Sequence, residues 1–407
     1  MQSMRNLGPS PIYASSPSGV EPPTILVGVT HPQTCLVLSA RLRTLRRAGF
    51  RVLLVSGPGD LLWKTAMHEH VEPIAIPMRR GIAPFHDLLS LLRLCRLIGL
   101  RQPDLVEFST PKASLLGLVA AWLQRVPRRV YMLRGLRLET CTGLKRKILL
   151  AAERIACACS QVVLCNSESL RARALALDLA PASKLRLLGE GSSNGVDVER
   201  FCPGPSTVRA KLGIPRESPV IGFAGRLTRD KGLPELIEAF EQILRAKPSA
   251  RLLLVGWFDA AEDALDKNLR SRILRHPRVH CTGFVDDTAP YYRAMDVMVL
   301  PTWREGFPNV VLEAAATGIP VVTTECTGAR DSVVPEVTGL LIPPGYPEAI
   351  CEAVLKLIHD PEQGCQMGKA ARAWVLERYP EARVVGMTVD YYRSLLESSP
   401  AAQLFGV

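Results

Sequence analysis

Short apolar runs recur along this chain with helical patterns between them, and that alternation restricts it to a parallel α/β architecture. In the first half the strand candidates are Thr24–Val29, Arg51–Val55, Pro73–Ile76, Asp104–Phe108, Arg129–Leu133, Gln161–Leu164 and Leu185–Leu188. Apolar residues at helical spacing lie between most of them, over Cys35–Ala48, Pro84–Gly99, Ala113–Gln124, Gly143–Cys159 and Ser167–Leu177. Strands that alternate with helices form a parallel sheet covered on both faces. After a turn-rich stretch from Asn194 to Ser206 the pattern resumes, with strands expected at Val220–Ala224, Arg251–Val255, Val279–Cys281, Val297–Leu300, Pro320–Thr323 and Gly339–Ile342. At 407 residues the chain exceeds the size of one growing core, so two such sheets are expected. The division expected is a flexible tail over residues 1–23, a first doubly wound domain over 24–200, a second over 201–380, and a helical C-terminal segment over 381–407.

Charge separates the two halves. Residues 1–200 carry 27 Lys and Arg against 14 Asp and Glu, whereas residues 201–407 carry 23 against 25. A basic half beside a near-neutral half calls for an anionic partner. Aromatic residues are only 6% and no nucleic-acid-binding motif appears, so nucleic acid is not expected. An anionic membrane surface or a diphosphate-linked acceptor fits better. Two stretches set cations beside an apolar stripe: Leu88–Leu100 with Arg93 and Arg96, and Leu144–Ile155 with Lys145, Arg146 and Lys147. Each reads as a basic helix at a lipid surface or as a core-facing helix with a solvated edge. Arginines interrupt the most apolar region before it reaches membrane-spanning length. The eleven cysteines are scattered, and Cys157 and Cys159 lack the gap of a metal knuckle. Reduced thiols and a cytoplasmic location, peripheral at the inner membrane face, are expected.

The chemistry concentrates in two loops of the second half. In Val220–Gly232 a buried strand is followed by a turn at Gly225, then Arg226 and Lys231, then Gly232 and a helix opened by Leu233-Pro234-Glu235. A strand, a glycine-flanked loop and a helix start favour an anion, and two cations favour a doubly charged one such as a diphosphate. The alternative is a plain βα turn carrying two solvated cations. Beyond the strand at Val297–Leu300, Glu305 lies in a loop and Glu313 in the helix that follows, and carboxylates suit sugar hydroxyls because they only accept hydrogen bonds. No Asp-x-Asp cluster sits at a strand end, so no metal is expected.

Taken together, the segments Gly225-Arg-Leu-Thr-Arg-Asp-Lys231-Gly232, Gly283-Phe284 and Glu305-Gly-Phe-Pro-Asn-Val-Val-Leu-Glu313-Ala-Ala-Ala-Thr-Gly318 resemble the retaining glycosyltransferases of family 4. The resemblance covers residues 220–345 and implies the GT-B fold, in which two Rossmann-like domains face each other across a cleft. It implies that Arg226 and Lys231 hold the donor diphosphate, Glu305 meets the donor sugar, and Glu313 holds the ribose. It also places Gly225, Phe284 and the amides of Gly306, Phe307 and Asn309 around the donor. A nucleotide sugar, expected to be a UDP-sugar, is then a substrate, and no cofactor is implied. The acceptor is implied to be a glycan or a polyprenyl-diphosphate-linked saccharide of cell-surface polysaccharide synthesis.

The first half departs from the family pattern. His31-Pro32-Gln33-Thr34 stands where many members carry a Gly-Gly loop, and Arg134 stands where many carry a histidine. These departures resemble a branch acting on capsule, exopolysaccharide or lipid-linked oligosaccharide precursors. His31, Lys112 and Arg134 are the acceptor-side candidates. Three partners are open to Arg134: the sugar, a phosphate, or Glu139. A nucleotide-sugar epimerase or hydrolase on the same fold is the main rival, ahead of a silent nucleotide-sugar-binding protein. A dinucleotide dehydrogenase is disfavoured, because Gly222 and Gly225 lack the G-x-G-x-x-G spacing.

Overall fold

A computed structural model describes residues 21–259 and 263–398; most of the expected N-terminal tail lies outside them. Two parallel sheets form two lobes. In the first lobe the strands are β1 (Thr24–Gly28), β2 (Arg51–Ser56), β3 (Glu72–Ala75), β4 (Leu105–Ser109), β5 (Arg128–Leu133), β6 (Val162–Cys165) and β7 (Leu185–Leu187), in the order β3-β2-β1-β4-β5-β6-β7. In the second they are β8 (Val220–Ala224), β9 (Arg251–Val255), β10 (Val279–Cys281), β11 (Val297–Leu300), β12 (Val321–Thr324) and β13 (Gly339–Ile342), in the order β10-β9-β8-β11-β12-β13. β1, β4, β8 and β11 are almost wholly buried, which is why their sequences are continuous apolar runs. Each order reverses direction once, between β1 and β4 in one lobe and between β8 and β11 in the other. The carboxyl ends of strands flanking such a reversal leave a crevice for ligands.

Helices over Pro84–Arg101, Pro111–Leu123 and Gly143–Cys159 pack in a row on one face of the first sheet. The helix Gln33–Arg47 and a helix over Asp60–Glu69 cover the other face. The sequence reading missed the second of these, because the Ser56-Gly57-Pro58-Gly59 run before it reads as open loop. The last helix, Glu381–Glu397, crosses back and sets Val389, Tyr392 and Leu395 into the core of the first lobe. The two places where the chain passes between lobes lie side by side. The Val196 amide donates to the Tyr379 carbonyl at 2.9 Å, and the Glu381 amide donates to the Val196 carbonyl at 2.9 Å. Beneath this stem Arg41 is fully buried; it is paired with Glu107 and donates to the Ser193 carbonyl at 2.9 Å. The Tyr392 hydroxyl takes the second Glu107 oxygen at 2.6 Å.

The helix Pro84–Arg101 buries Ser90, Leu94 and Ile98. Phe85, Leu88, Leu89 and Leu92, spaced as one stripe, are left exposed, Phe85 by 70%. Leu144, 73% exposed, Ile148 and Ile155 do the same on Gly143–Cys159. Each helix faces the core with one side and carries an apolar stripe beside the charges on its outer side.

Candidate active site

The two loops that the sequence singles out flank the reversal point of the second sheet, one after β8 and one after β11. Gly232 lets them meet: it sits at φ +72°, and a Cβ there would collide with the Pro301 carbonyl. The Trp303 amide donates to the Asp230 carbonyl at 2.9 Å, and Arg304 Nε donates to the Asp230 carboxylate at 3.0 Å. With the loops joined, Lys231 Nζ is ion-paired to Glu305. Arg226 and Lys231 line the same cleft between the lobes, whose volume is about 730 Å³. Arg226 does not reach Glu305. Its Nη1 donates to Asp259 at 2.9 Å and lies 3.7 Å from Asp263. Burial pushes the Asp259 carboxyl up, but the hydrogen bond and charge of Arg226, with Arg80 behind them, outweigh it and hold the group below the usual carboxylate range.

The other residues expected on the donor side divide. Phe284 is half exposed and stands edge-to-face with Trp257 at 5.5 Å, and Trp257 lines the cleft. Phe307 buries its ring against Tyr379 at 5.3 Å, so only its backbone is free to face a ligand. Asn309 opens the helix Asn309–Ala316. Glu313, within that helix, accepts from the Tyr292 hydroxyl at 2.7 Å and lies outside the cleft lining. Burial pushes its carboxyl up, and the hydrogen bond from Tyr292 and the charge of Arg200 only partly offset this. Gly225, at φ +136°, begins the β8 loop and lines the cleft.

The first lobe supplies the facing wall: Thr30 and His31 after β1, Thr110 and Lys112 after β4, and Arg134, Gly135 and Arg137 after β5. These are the strands around that sheet's own reversal point. His31 Nδ1 accepts from the Gln33 amide at 3.4 Å; burial and the charge of Arg80 push the imidazole pKa down, with Asp259 opposing. Lys112 is ion-paired to Asp87. Among the described residues Arg134 does not pair with Glu139: one oxygen of that carboxylate takes Arg173 at 3.2 Å and the Thr327 hydroxyl at 2.8 Å, and the other, buried, has no partner. The lobes touch beneath the cleft, where a Cβ on Gly306 would collide with the Arg134 carbonyl and one on Gly135 would lie 3.2 Å from the Gly306 amide nitrogen. Further contacts tie the lobes together here: Arg304 Nε donates to Thr140 at 3.1 Å, and the Gly328 amide donates to Ser169 at 2.8 Å.

Arg80, Trp257, Asp259 and Asp263 escaped the sequence reading. Trp257 and Asp259 directly follow β9, the neighbour of β8, and that adjacency is their only signal. Arg80 reaches Asp259 across the gap at 3.3 Å from a loop of the first lobe, which no local pattern foretells. Cations outnumber acids at the cleft: Arg80, Lys112, Arg134, Arg137, Arg226, Lys231 and Arg304 line it, against Asp263 in the lining and Asp87, Asp230, Asp259 and Glu305 paired to five of them. Low-dielectric walls focus such a field on an anionic ligand. Among the described residues, no group of three or more His, Cys, Asp or Glu is placed to hold a metal ion.

Comparison with known proteins agrees with this geometry. A family model described as "Glycosyl transferases group 1" matches residues 218–360, and one described as "Glycosyl transferase 4-like domain" matches residues 38–191. The chain is 35% identical over 372 residues to the capsular polysaccharide biosynthesis glycosyltransferase CapM of Staphylococcus aureus, spanning 91% of this chain and 97% of that one. It is 28% identical over 295 residues to the UDP-Gal:alpha-D-GlcNAc-diphosphoundecaprenol alpha-1,3-galactosyltransferase of Escherichia coli, spanning 69% of this chain and 73% of that one. The solved structure of Anabaena Alr3699/HepE in complex with UDP-glucose superposes with a TM-score of 0.76 at 21% identity, covering 91% of this chain and 99% of that one, and shows the same fold. Two Rossmann-like lobes with both halves matched leave one assignment: the chain belongs to glycosyltransferase family 4 and has the GT-B fold.

Proposed function

We propose that the protein is a retaining, metal-independent glycosyltransferase. It takes a sugar from a UDP-sugar and delivers it to a glycan or polyprenyl-diphosphate-linked acceptor in cell-surface polysaccharide synthesis. The observation that carries this is the pairing of Lys231 with Glu305 across the reversal point of the second sheet, beside Arg226 in the cleft. The donor diphosphate takes Arg226 and Lys231 from their carboxylate partners, and Glu305 turns to the sugar hydroxyls. Glu313 holds the ribose. During reaction the bond from the anomeric carbon to the diphosphate breaks, and the acceptor oxygen bonds to that carbon on the same face. The acceptor proton passes to the departing phosphate oxygen. The two cations stabilise the charge that develops there, which is the work a metal ion performs elsewhere.

The relatives point to the acceptor class, since one is named for capsular polysaccharide and another for a diphosphoundecaprenol-linked sugar. The exposed stripes of Pro84–Arg101 and Gly143–Cys159 supply a surface for it. Apolar side chains flanked by Arg93, Arg96 and Lys147 suit an anionic membrane, and both helices begin beside loops that line the cleft. No helix among the described residues is long and apolar enough to cross a membrane.

The test is a panel of UDP- and GDP-sugars with a lipid-diphosphate saccharide acceptor, in EDTA, reading both UDP release and acceptor glycosylation. Transfer that needs the acceptor and survives EDTA is expected. Donor epimerised or hydrolysed without any acceptor dependence would transfer the assignment to the rival activity. For the surface, phosphatidylglycerol vesicles should sediment the wild type, and F85E/L92E should weaken that sedimentation.

A further inference from the structure

Arg134 differs from the arginines around it. Arg41 holds Glu107, Arg80 and Arg226 hold Asp259, and Arg304 holds Asp230. Among the described residues the Arg134 Nε and Nη2 have no hydrogen-bond partner, although both are shut away from water. Neither nearby carboxylate pairs with Arg134 among the described residues. Both Glu107 oxygens are taken, one by Arg41 and one by Tyr392; Glu139 Oε1 takes Arg173 and Thr327, and its buried Oε2 bonds neither Arg134 nor any other described residue. The two orphaned atoms form the edge that grips a carboxylate elsewhere in this molecule: Arg43 Nε and Nη2 each donate to Glu69 at 2.9 Å. A buried cation without an acceptor is costly, and a fork of two parallel N–H groups matches two oxygens of one carboxylate or phosphate. Burial and the neighbouring charge of Arg41 push its pKa down to about 9, with Glu107 and Tyr392 opposing only in part.

Its position says where the missing anion enters. β4 and β5 run in register with Ser109 beside Met132, so Arg134 and Lys112 leave adjacent strand ends onto one wall, with Arg137 further along it. Arg226 and Lys231 stand on the opposite lobe. We propose that Arg134, with Lys112 and Arg137, forms a second oxyanion subsite on the first-lobe wall, taking a carboxylate or phosphate that a substrate carries apart from the donor's diphosphate. Two sources supply that chemistry. The Arg134 backbone abuts Gly306, next to the residue assigned to the transferred sugar, so the anion is either a carboxylate on that sugar or a phosphate of the acceptor. Only the naming of the source rests on the glycosyltransfer reading.

The test uses the full chain, wild type and R134Q, by calorimetric titration in two arms. In one, inorganic pyrophosphate is titrated into protein saturated with UDP. In the other, UDP-glucuronate is compared with UDP-glucose. Loss of a bidentate charge-assisted contact should weaken binding about tenfold or more in R134Q in one arm, with UDP affinity unchanged. A loss in the pyrophosphate arm assigns the acceptor phosphate, and a loss of preference for UDP-glucuronate assigns the sugar carboxylate. Equal binding by the two proteins in both arms overturns the subsite, as does R134Q weakening UDP itself, which would give the guanidinium to the donor diphosphate. R134Q should melt no lower than wild type without ligand; a lower midpoint marks a structural role and also overturns it. If UDP fails to bind at all, the donor reading falls. Pyrophosphate titrated into R226A/K231A, with and without R134Q, then still decides the subsite.

Discussion

Replacing Lys231 by Ala removes the cation closest to the assigned sugar ligand, and the structure sets the scale of the effect. The side chains of Lys231 and Glu305 are only 18% and 14% exposed, so the charge acts through a medium well below the dielectric of water. At about 4 Å and an effective dielectric of about 20, two unit charges interact by about 4 kcal/mol. A leaving diphosphate that gains most of one charge in the transition state therefore loses about 3–4 kcal/mol of stabilisation in K231A, a fall of about 10²–10³-fold in kcat. The same substitution strands Glu305, and an unpaired buried carboxylate costs about 1–3 kcal/mol of stability. For a lobe of this size each kcal/mol lowers the midpoint by about 2–4 °C. Adding E305Q removes the stranded charge, so K231A/E305Q should recover most of the midpoint but none of the turnover. The assays are UDP release under saturating donor and thermal denaturation of the same preparations. If K231A keeps kcat within about threefold of wild type, or if the double variant regains turnover along with its midpoint, Lys231 is a structural residue and the diphosphate assignment fails.

Three further substitutions probe other parts of the site. Tyr292→Phe removes a hydrogen bond that favours the Glu313 carboxylate, whose pKa burial already raises, so its pKa rises further. If Glu313 holds the ribose as proposed, its ionised form is the stronger acceptor, so UDP affinity should climb with pH through that raised pKa, and the climb should move to higher pH in Y292F; an unmoved profile separates Glu313 from the ribose. Because the folded-state pKa is raised, Glu313 favours the folded state at low pH, and that contribution is lost as pH rises through the raised value. Gly306→Ala drives a methyl into the Arg134 carbonyl and forces the lobes apart, so kcat should fall about 10²-fold with UDP affinity nearly kept, read by steady-state kinetics and titration. Tyr392→Phe leaves one oxygen of the buried Glu107 without its donor and should cost about 1–3 kcal/mol in denaturation while UDP affinity holds.

Much of the second lobe can be read from its sequence, because a strand buried on both faces must be apolar throughout: Val220–Ala224, Arg251–Val255, Val297–Leu300 and Gly339–Ile342 begin and end where the apolar runs do. Arg226, Lys231 and Glu305 are legible for a related reason, since each sits in the loop that such a strand feeds. Partnership is a different matter. That Lys231 meets Glu305 while Arg226 meets Asp259 depends on how β8, β9 and β11 lie beside one another, and the chain order conceals this. The orientation of Pro84–Arg101 was hidden too. Apolar residues occupy both sides of that helix, and periodicity cannot say which side faces the core. Arg134 shows the same limit, for its nearest acid in sequence, Glu139, is held by residues 34 and 188 positions away.

The last helix carries a consequence for biosynthesis. Tyr392 and Leu395 complete the packing of a lobe whose final strand ends at Leu187, so about two hundred residues of translation separate that sheet from the side chains that close it. A nascent chain leaving the ribosome thus holds an unfinished first half, with Glu107 and Arg41 lacking Tyr392, until the last helix has been made. The first lobe is finished only when this helix docks, and a premature stop between Tyr379 and Tyr392 would spoil the half of the molecule that was made first.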